Sequence, residues 1–309
     1  MKFCRSTGFR NRLRILFLVL STVLWAGASA SADVATGKAA FEAGDYGKAL
    51  NAFLPDAQSG KPEAQYWMGR IYEGGFGVPE DARTAFEWFE KAGELGHADA
   101  QRIVGAFYAA GKVVGKSPSM AVKWYARAVE GGNAMAMRNL GTMYLDGKGV
   151  ERDIKKAISL FEKSAAMGYG RAMRNLGYIY YFGEGVRRDA AKAAEYFAAA
   201  AKAGSSRAKY DIGRLYYRGD GVERDLERAA TYFREASREG EAMGQIFLGR
   251  MLARGEGVPR DREQAYFWLT LAAAEEPDKT KFLLENLEDA LSKDQIEAAK
   301  ERAKKFRPE

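Results

Sequence analysis

Glycine recurs in this sequence at one fixed interval, every 36 residues. The series is Gly69, Gly105, Gly141, Gly177, Gly213 and Gly249. Alanines from Ala85 to Ala265 keep the same step. Because two residue types hold one period without an insertion, the sequence predicts a single structural unit stacked on itself. Each unit of such an array buries its apolar face against its neighbours, so the fold presents a long surface rather than a closed catalytic cleft.

The third copy shows how each unit is built. Small or apolar residues at 136, 140, 141 and 144 have the spacing of a helix with one buried stripe. Gly147 then predicts a left-handed helix end, and Asp153 predicts the N-cap of a second helix that runs to Ala165. Glycine costs about 1 kcal/mol inside a helix, so the glycine at position 141 predicts close packing against a neighbouring backbone. Nothing alternates with a period of two, so we expect no strands.

The run Ala-x3-Leu-Gly-x2-Tyr-x2-Gly-x-Gly-Val-x2-Asp-x3-Ala, from Ala136 to Ala157, resembles the Sel-one-like repeat family. This family is related to the tetratricopeptide repeat, and the resemblance covers about residues 34–274. The second copy departs from the pattern, because Gly111 to Ser117 lacks the Gly-Val turn and has serine in place of aspartate. The resemblance implies an all-α fold, a right-handed superhelical α-solenoid of helix-turn-helix repeats.

We divide the chain into four parts. They are a signal peptide at 1–32, a degenerate N-terminal helical hairpin at 33–63, six Sel-one-like repeats at 64–274, and a C-terminal helical cap at 275–309. The cap is predicted as two amphipathic helices. The second of them opens with a capping box at Ser292 and Gln295.

Residues 1–32 have the pattern of a secretory leader. Five basic residues and no acidic residue accompany an apolar run at 15–25, and small residues follow it. We expect cleavage after Ala32, with Ala30 as the alternative. An uncleaved anchor is the competing interpretation, although the apolar run is short for a membrane span. We therefore expect a periplasmic or secreted protein of a Gram-negative envelope, with no membrane span after cleavage.

The leader also accounts for most of the net charge. The chain carries 48 basic and 41 acidic residues, and without residues 1–32 it carries 43 and 41. This balance gives no reason to expect nucleic acid as a partner. The single cysteine, Cys4, lies in the leader, so the remainder cannot form disulfides. We expect a monomer.

Helix A lines the concave face of tetratricopeptide-like arrays, and the resemblance therefore implies a partner-binding groove on this helix. The candidate residues are Arg70, Arg102, Arg138, Asn139, Arg174, Asn175, Tyr178, Tyr181, Tyr210, Arg214, Tyr217, Arg218, Arg250 and Arg254. Guanidinium groups bind carboxylates with two parallel N–H donors, so we predict an acidic peptide or a uronic-acid glycan as ligand. The alternative is that these arginines pair with acids such as Glu73, Asp146 and Asp211, or are simply solvated.

Residues for catalysis are scarce. His97 is the only histidine, and without the leader no cysteine accompanies it, so the common zinc ligand sets are absent. No Gly-x-Ser-x-Gly motif occurs, while paired carboxylates stay open as an alternative. The aromatic series of helix B is predicted as core, and it comprises Trp88, Trp124, Phe161, Phe197 and Phe233. We predict no cofactor and no metal.

The predicted function is a non-catalytic periplasmic scaffold that binds a protein partner in the helix-A groove. Similar family members act in envelope assembly, exopolysaccharide secretion and signalling. One alternative is a periplasmic regulator of a sensor kinase or of exopolysaccharide secretion. Another alternative, from a different class, is an enzyme that acts on the cell wall.

Overall fold

The chain is folded entirely into α-helices over the part that the computed structural model describes, residues 33–309. Residues 1–32, with the predicted leader, lie outside the described residues. No strand occurs between residues 33 and 309, which confirms the all-α prediction. The helices are α1 (Val34–Glu42), α2 (Tyr46–Gln58), α3 (Pro62–Gly74), α4 (Ala82–Glu94), α5 (Ala98–Ala110), α6 (Pro118–Glu130), α7 (Ala134–Asp146), α8 (Ile154–Ala166), α9 (Gly170–Phe182), α10 (Ala190–Lys202), α11 (Ser206–Arg218), α12 (Leu226–Arg238), α13 (Ala242–Arg254), α14 (Arg262–Ala272), α15 (Pro277–Glu288) and α16 (Lys293–Lys305).

The helices pack as successive antiparallel hairpins. In each hairpin from α3 to α14, the odd-numbered helix is helix A and the even-numbered helix is helix B. Every helix B packs on its own helix A, and each helix B from α4 to α12 also packs on helix A of the next hairpin. This stacking forms the right-handed superhelical α-solenoid that the repeat predicted. The hairpin of α1 and α2 packs on α3 at one end, and α15 and α16 both pack on α14 at the other.

In five of the six repeats the repeated glycine of helix A packs against a ring of helix B, and Gly249 packs against Leu269 instead. A Cβ atom on Gly141 would lie 2.7 Å from Cε1 of Phe161, and one on Gly177 would lie 2.6 Å from Cε1 of Phe197. Both rings are fully buried, so a larger residue at the glycine position would displace them. The predicted close packing is present. The predicted partner, a neighbouring backbone, is wrong, because an aromatic side chain fills the notch that glycine leaves.

The buried ring series of helix B differs from the predicted one in the first two repeats. Phe89 and Tyr125 hold the positions equivalent to Phe161, and they face Gly69 and Gly105. Trp88 is only half-buried, and the Lys91 ammonium lies 4.5 Å from its ring centroid. Trp124 is buried, but in the cluster that joins α6 to the preceding hairpin. In these two repeats the predicted tryptophan therefore lies one residue before the ring that packs against the glycine.

The turns explain why the second repeat keeps the same helical hairpin and the same 36-residue period although it lacks the Gly-Val turn. Gly111 and Gly147 end their helices with φ values of 72° and 67°, in the left-handed region that favours glycine. Helix B then begins at an N-cap side chain: Asp153 Oδ1 accepts from the Lys156 N–H at 2.9 Å, and Ser117 Oγ accepts from the Met120 N–H. The glycine end and the capping side chain therefore fix the hairpin even where the Gly-Val turn is missing.

The C-terminal helices close the apolar end of the array. The capping box predicted at Ser292 and Gln295 is present. Phe306, just beyond α16, packs edge-on against Phe267 and Trp268 of α14 at centroid distances of 6.0 and 5.7 Å. Among the helices between residues 33 and 309, none combines the length and apolar character needed to cross a bilayer.

Candidate partner-binding surface

The A helices present a band of arginine, asparagine and tyrosine side chains beside the stripe that packs on helix B, and the tyrosines Tyr178, Tyr210 and Tyr217 also contact rings of helix B. We call this band the helix-A surface. Its predicted residues are Arg70, Arg102, Arg138, Asn139, Arg174, Asn175, Tyr178, Tyr181, Tyr210, Arg214, Tyr217, Arg218, Arg250 and Arg254. Arg218 and Arg254 are exposed, and the others are half-buried. Half-burial follows from their place on each helix, beside the stripe that packs on helix B.

A hydrogen-bonded triad joins α9 to α11 on this surface. The Arg174 Nε donates to Asp211 Oδ2 at 2.6 Å, and the Tyr178 hydroxyl donates to Asp211 Oδ1 at 2.7 Å. The Arg174 Nη2 also donates to the Tyr178 oxygen at 2.8 Å. The Asp211 side chain is fully buried. Burial and then the Asp211 carboxylate raise the pKa of Tyr178, so the tyrosine remains a neutral donor. The triad therefore holds Arg174 and Tyr178 in fixed positions.

The triad continues into an exposed aromatic ring. The Arg174 guanidinium lies 4.8 Å from the Tyr178 ring centroid, and the Tyr178 ring stacks on Phe182 at 5.9 Å with 6° between planes. We call Arg174, Tyr178 and Phe182 the α9 ladder. Phe182 is 63% exposed. The sequence interpretation missed Phe182, although its four-residue spacing from Tyr178 places it on the same helix face.

A polar pocket of about 700 Å³ opens beside Arg174. We call it the arginine pocket, and its polar lining comprises Arg138, Arg171, Arg174, Arg207, Asn175, Ser205, Ser206 and Glu241, with Tyr169 and neighbouring turn residues. Glu241 is its one carboxylate, and Arg207 Nε lies 3.4 Å from it. The sequence interpretation missed Arg171 and Arg207. Both lie in the first turn of a helix A. The glycines that precede these helices, Gly168 and Gly204, were the sequence signal for where each helix begins.

Arg138 lies in this pocket without a counter-ion. Its Nε is buried and has no hydrogen-bond partner among residues 33–309. Its Nη1 donates only a long bond, 3.4 Å, to Asn139 Oδ1. Burial lowers the pKa of Arg138, and the nearby cations Arg171 and Arg174 lower it further. The guanidinium stays charged at neutral pH, so the pocket holds positive charge that no described side chain balances.

Arg214 forms a second unsatisfied cation on the same surface. Its guanidinium carbon lies 5.3 Å from the Tyr181 ring centroid and 5.9 Å from that of Tyr210. Its Nε and Nη2 are buried and have no hydrogen-bond partner in the described part of the chain. Rings on two sides orient the cation but offer it no hydrogen-bond acceptor.

A family model for the Sel1 repeat matches six consecutive segments, residues 62–97, 98–133, 134–169, 170–205, 206–241 and 242–276. This chain belongs to the Sel1 repeat family. Sel1 repeat proteins are generally protein-interaction scaffolds. The family expected from the sequence is therefore confirmed.

Several solved structures are similar to this chain. A Sel1 repeat protein from Oxalobacter formigenes is 32% identical, with 78% of this chain and 99% of that chain covered and a TM-score of 0.75. The protective antigen c5321 of uropathogenic Escherichia coli is 24% identical, with 84% and 71% covered and a TM-score of 0.42. The immunity protein Pa5087 from Pseudomonas aeruginosa is 21% identical, with 71% and 84% covered and a TM-score of 0.48. A search of curated proteins found no match.

Half of the predicted arginines of this Sel1 repeat array are ion-paired. The pairs are Arg70 with Glu73 at 3.5 Å, Arg102 with Asp99 at 3.9 Å, Arg174 with Asp211 at 2.6 Å, and Arg254 with Glu256 at 3.4 Å. Arg138, Arg214, Arg218 and Arg250 have no ion pair within residues 33–309. The alternative of internal pairing thus explains half of the set. Asp146, one predicted partner, instead pairs with Lys148 at 2.6 Å.

His97 has a structural role at the junction of the first two Sel1 repeats. Its Nδ1 accepts from the Ala100 N–H at 3.3 Å and caps α5. Its Nε2 lies 3.0 Å from Glu63 Oε2, and its ring stacks on Tyr66 at 4.5 Å. Both ring nitrogens are therefore occupied. No group of three or more histidine, cysteine, aspartate or glutamate side chains is placed to hold a metal ion in the part that the structure describes.

Proposed function

We propose that this Sel1 repeat protein is a non-catalytic scaffold that binds an acidic protein partner on the helix-A surface. The observation that carries the proposal is that Arg138 and Arg214 have buried guanidinium nitrogens without a hydrogen-bond partner and, unlike Arg102, also have no ion pair among residues 33–309. A buried donor without a partner costs about 1–3 kcal/mol. Because both side chains are only half-buried, carboxylates from a partner can reach the accessible part of each guanidinium and balance a charge that the described residues leave unpaired.

The shape of the array supports a protein rather than a small molecule as partner. Arg138, Arg214 and Arg250 lie on different repeats, α7, α11 and α13, so one compact ligand cannot reach all three. A protein segment laid across the repeats can contact each cation in turn. The tyrosines beside them add large, rigid contact area of the kind that is enriched in protein interfaces.

We also propose that residues 1–32 direct export and that the partner is met in the periplasm. Support comes from the basic segment, the short apolar run and the small residues that end it. Intact-mass measurement of the protein from periplasmic extract tests this point. A mature N-terminus at Ser31 or Asp33 is expected. A full-length chain in the membrane fraction would contradict cleavage, and a full-length chain in the cytoplasmic fraction would contradict export.

Site-specific photo-crosslinking in intact cells tests the scaffold function. A photoreactive amino acid at Arg218, which is exposed on helix A, is expected to capture a protein that mass spectrometry identifies. The same amino acid at Lys155, exposed on helix B, is the control and is expected to capture none of it. Identical products at both positions, or no protein product at Arg218, would reject the proposal.

Glutamine substitutions then test which cations carry the binding. The double variant Arg138→Gln and Arg214→Gln is expected to lose capture at Arg218, because the unsatisfied donors are gone. Arg187→Gln removes an exposed turn arginine and keeps capture. Equal loss in both variants would indicate non-specific charge attraction instead.

A further inference from the structure

The arginine pocket and the α9 ladder form one continuous feature, because Arg174 belongs to both. Arg174, Tyr178 and Phe182 follow each other at four-residue intervals on α9, so they lie along one face. Eight residues of α-helix separate the first from the last, a rise of about 12 Å. Asp211 holds the first two side chains through hydrogen bonds of 2.6 and 2.7 Å. The feature is therefore rigid, with cations at one end and an exposed ring at the other.

The charges of the pocket point to a ligand with two negative groups. Asp211 balances Arg174, and Glu241 balances Arg207. Arg138 and Arg171 remain without an ion pair within residues 33–309, so two positive charges are open. The volume of about 700 Å³ is far larger than a single ion requires. The hydroxyls and amide of the lining supply further donors for carboxylate oxygens.

The opposite end of the ladder offers an apolar contact. Phe182 is 63% exposed, yet its ring is fixed by stacking on Tyr178. A rigid exposed ring loses little conformational freedom on binding, and covering it removes apolar area from water. A purely acidic ligand would leave this ring uncovered.

We infer that the partner binds through an extended segment with two acidic side chains in the arginine pocket and an apolar side chain on Phe182. This inference rests on the proposed function and specifies the partner. An extended chain advances about 3.3 Å per residue, so about four residues bridge the 12 Å rise along the ladder. The recognised segment therefore has an acidic pair and an apolar residue about four positions away.

Synthetic peptides of one composition test the spacing. The probe Glu-Glu-Ser-Gly-Ser-Leu has the required spacing, and its reverse sequence tests the other chain direction. The control Glu-Glu-Leu-Ser-Gly-Ser has the same charge with the leucine next to the acidic pair. By calorimetry on the purified protein, one of the two spaced peptides is expected to bind about tenfold or more tighter than the control. Equal affinity for all three peptides would overturn the inference.

Three variants and two matched controls locate the two contacts. Arg138→Gln, and separately Arg171→Gln, are expected to weaken the better spaced peptide about tenfold, while Arg187→Gln leaves it within about twofold. Because Arg171 is exposed, its variant is not open to the objection of misfolding. Phe182→Ser is expected to abolish the preference for spacing. Phe282→Ser, which removes a similarly exposed ring on α15, keeps it. Equal effects of a variant and its control would overturn the assignment of that contact.

Two further outcomes separate this inference from the scaffold function. If crosslinking at Arg218 captures a protein and neither Arg171→Gln nor Phe182→Ser reduces that capture, the inference fails while the scaffold function stands. If no protein is captured, the scaffold function itself fails. If a galacturonic acid trimer binds tighter than every peptide and depends on Arg138, the pocket is a glycan site and the inference is wrong.

Discussion

Arg138 and Arg174 occupy equivalent positions one repeat apart, yet only Arg174 has a carboxylate beside it. The residue that follows 37 positions later decides the difference. For Arg174 this residue is Asp211, which binds it at 2.6 Å. For Arg138 it is Asn175, which lines the same pocket and carries no charge. One side chain in the next repeat thus determines whether a helix-A arginine forms an ion pair within the chain or remains without one.

This relationship predicts the effect of Asn175→Asp. The new carboxylate is expected to pair with Arg138 as Asp211 pairs with Arg174, and acidic peptides then bind about tenfold more weakly. The melting temperature stays equal or rises, because the pair satisfies a buried donor. Titration calorimetry and thermal unfolding measure the two effects. Asn51→Asp, on the exposed side of α2, is the control with the same charge change. Unaltered peptide affinity in Asn175→Asp would contradict the assignment of Arg138 as a ligand contact.

Removal of Arg174 is expected to destabilise the fold. In Arg174→Ala the fully buried Asp211 carboxylate loses its cation, and such a loss costs about 3–5 kcal/mol. Arg218→Ala, in the next repeat but exposed, is expected to change stability by about 0.5 kcal/mol or less. Chemical denaturation compares the free energies of unfolding. If the two variants unfold alike, Asp211 is satisfied by other groups.

The close contact between Gly141 and Phe161 predicts that even alanine at position 141 destabilises the fold. In Gly141→Ala the new Cβ would lie 2.7 Å from Phe161 Cε1, and the forced displacement costs about 1–3 kcal/mol. Gly47→Ala is the control, because nothing lies within 4 Å of its Cβ position on α2. There alanine is expected to keep or slightly raise stability. Thermal unfolding of both variants distinguishes the notch from a general intolerance of alanine.

The ionised Glu63 carboxylate beside His97 is expected to contribute to the stability of the fold, and this contribution is lost at low pH. Burial raises the pKa of Glu63, but hydrogen bonds from Lys38, Trp67 and His97 outweigh burial and lower it below the ordinary 4.5. A carboxyl with a lowered pKa stabilises the fold above its ordinary pKa and loses this effect as pH falls through the folded value. The destabilisation by Glu63→Gln should therefore be larger at about pH 7 than at about pH 3.

Melting temperatures at the two pH values measure this difference. Glu42→Gln, an exposed carboxyl on α1, is the control. The same destabilisation by Glu63→Gln at both pH values would show that the charge of Glu63 contributes nothing to stability.

The hairpins were predictable because their determinants lie within one repeat. Gly147 ends a helix and Asp153 starts the next by local backbone chemistry, which a single sequence displays. The pair of Arg174 with Asp211 joins side chains of different repeats, so the sequence offered Asp211 only as one of several alternative acids for these arginines. The sequence does not show that Asp211 lies beside Arg174, because this depends on how α9 packs near α11. Likewise, only the packing shows that Phe89, and not Trp88, fills the notch of Gly69.

The seal that Phe306 makes over Phe267 and Trp268 also limits how copies of this protein can meet. Successive repeats of an array pack through the same kind of interface. An uncovered last hairpin would therefore expose a surface on which another molecule could pack. Because α15, α16 and Phe306 cover that surface from within the same chain, the last hairpin does not expose it to a second copy.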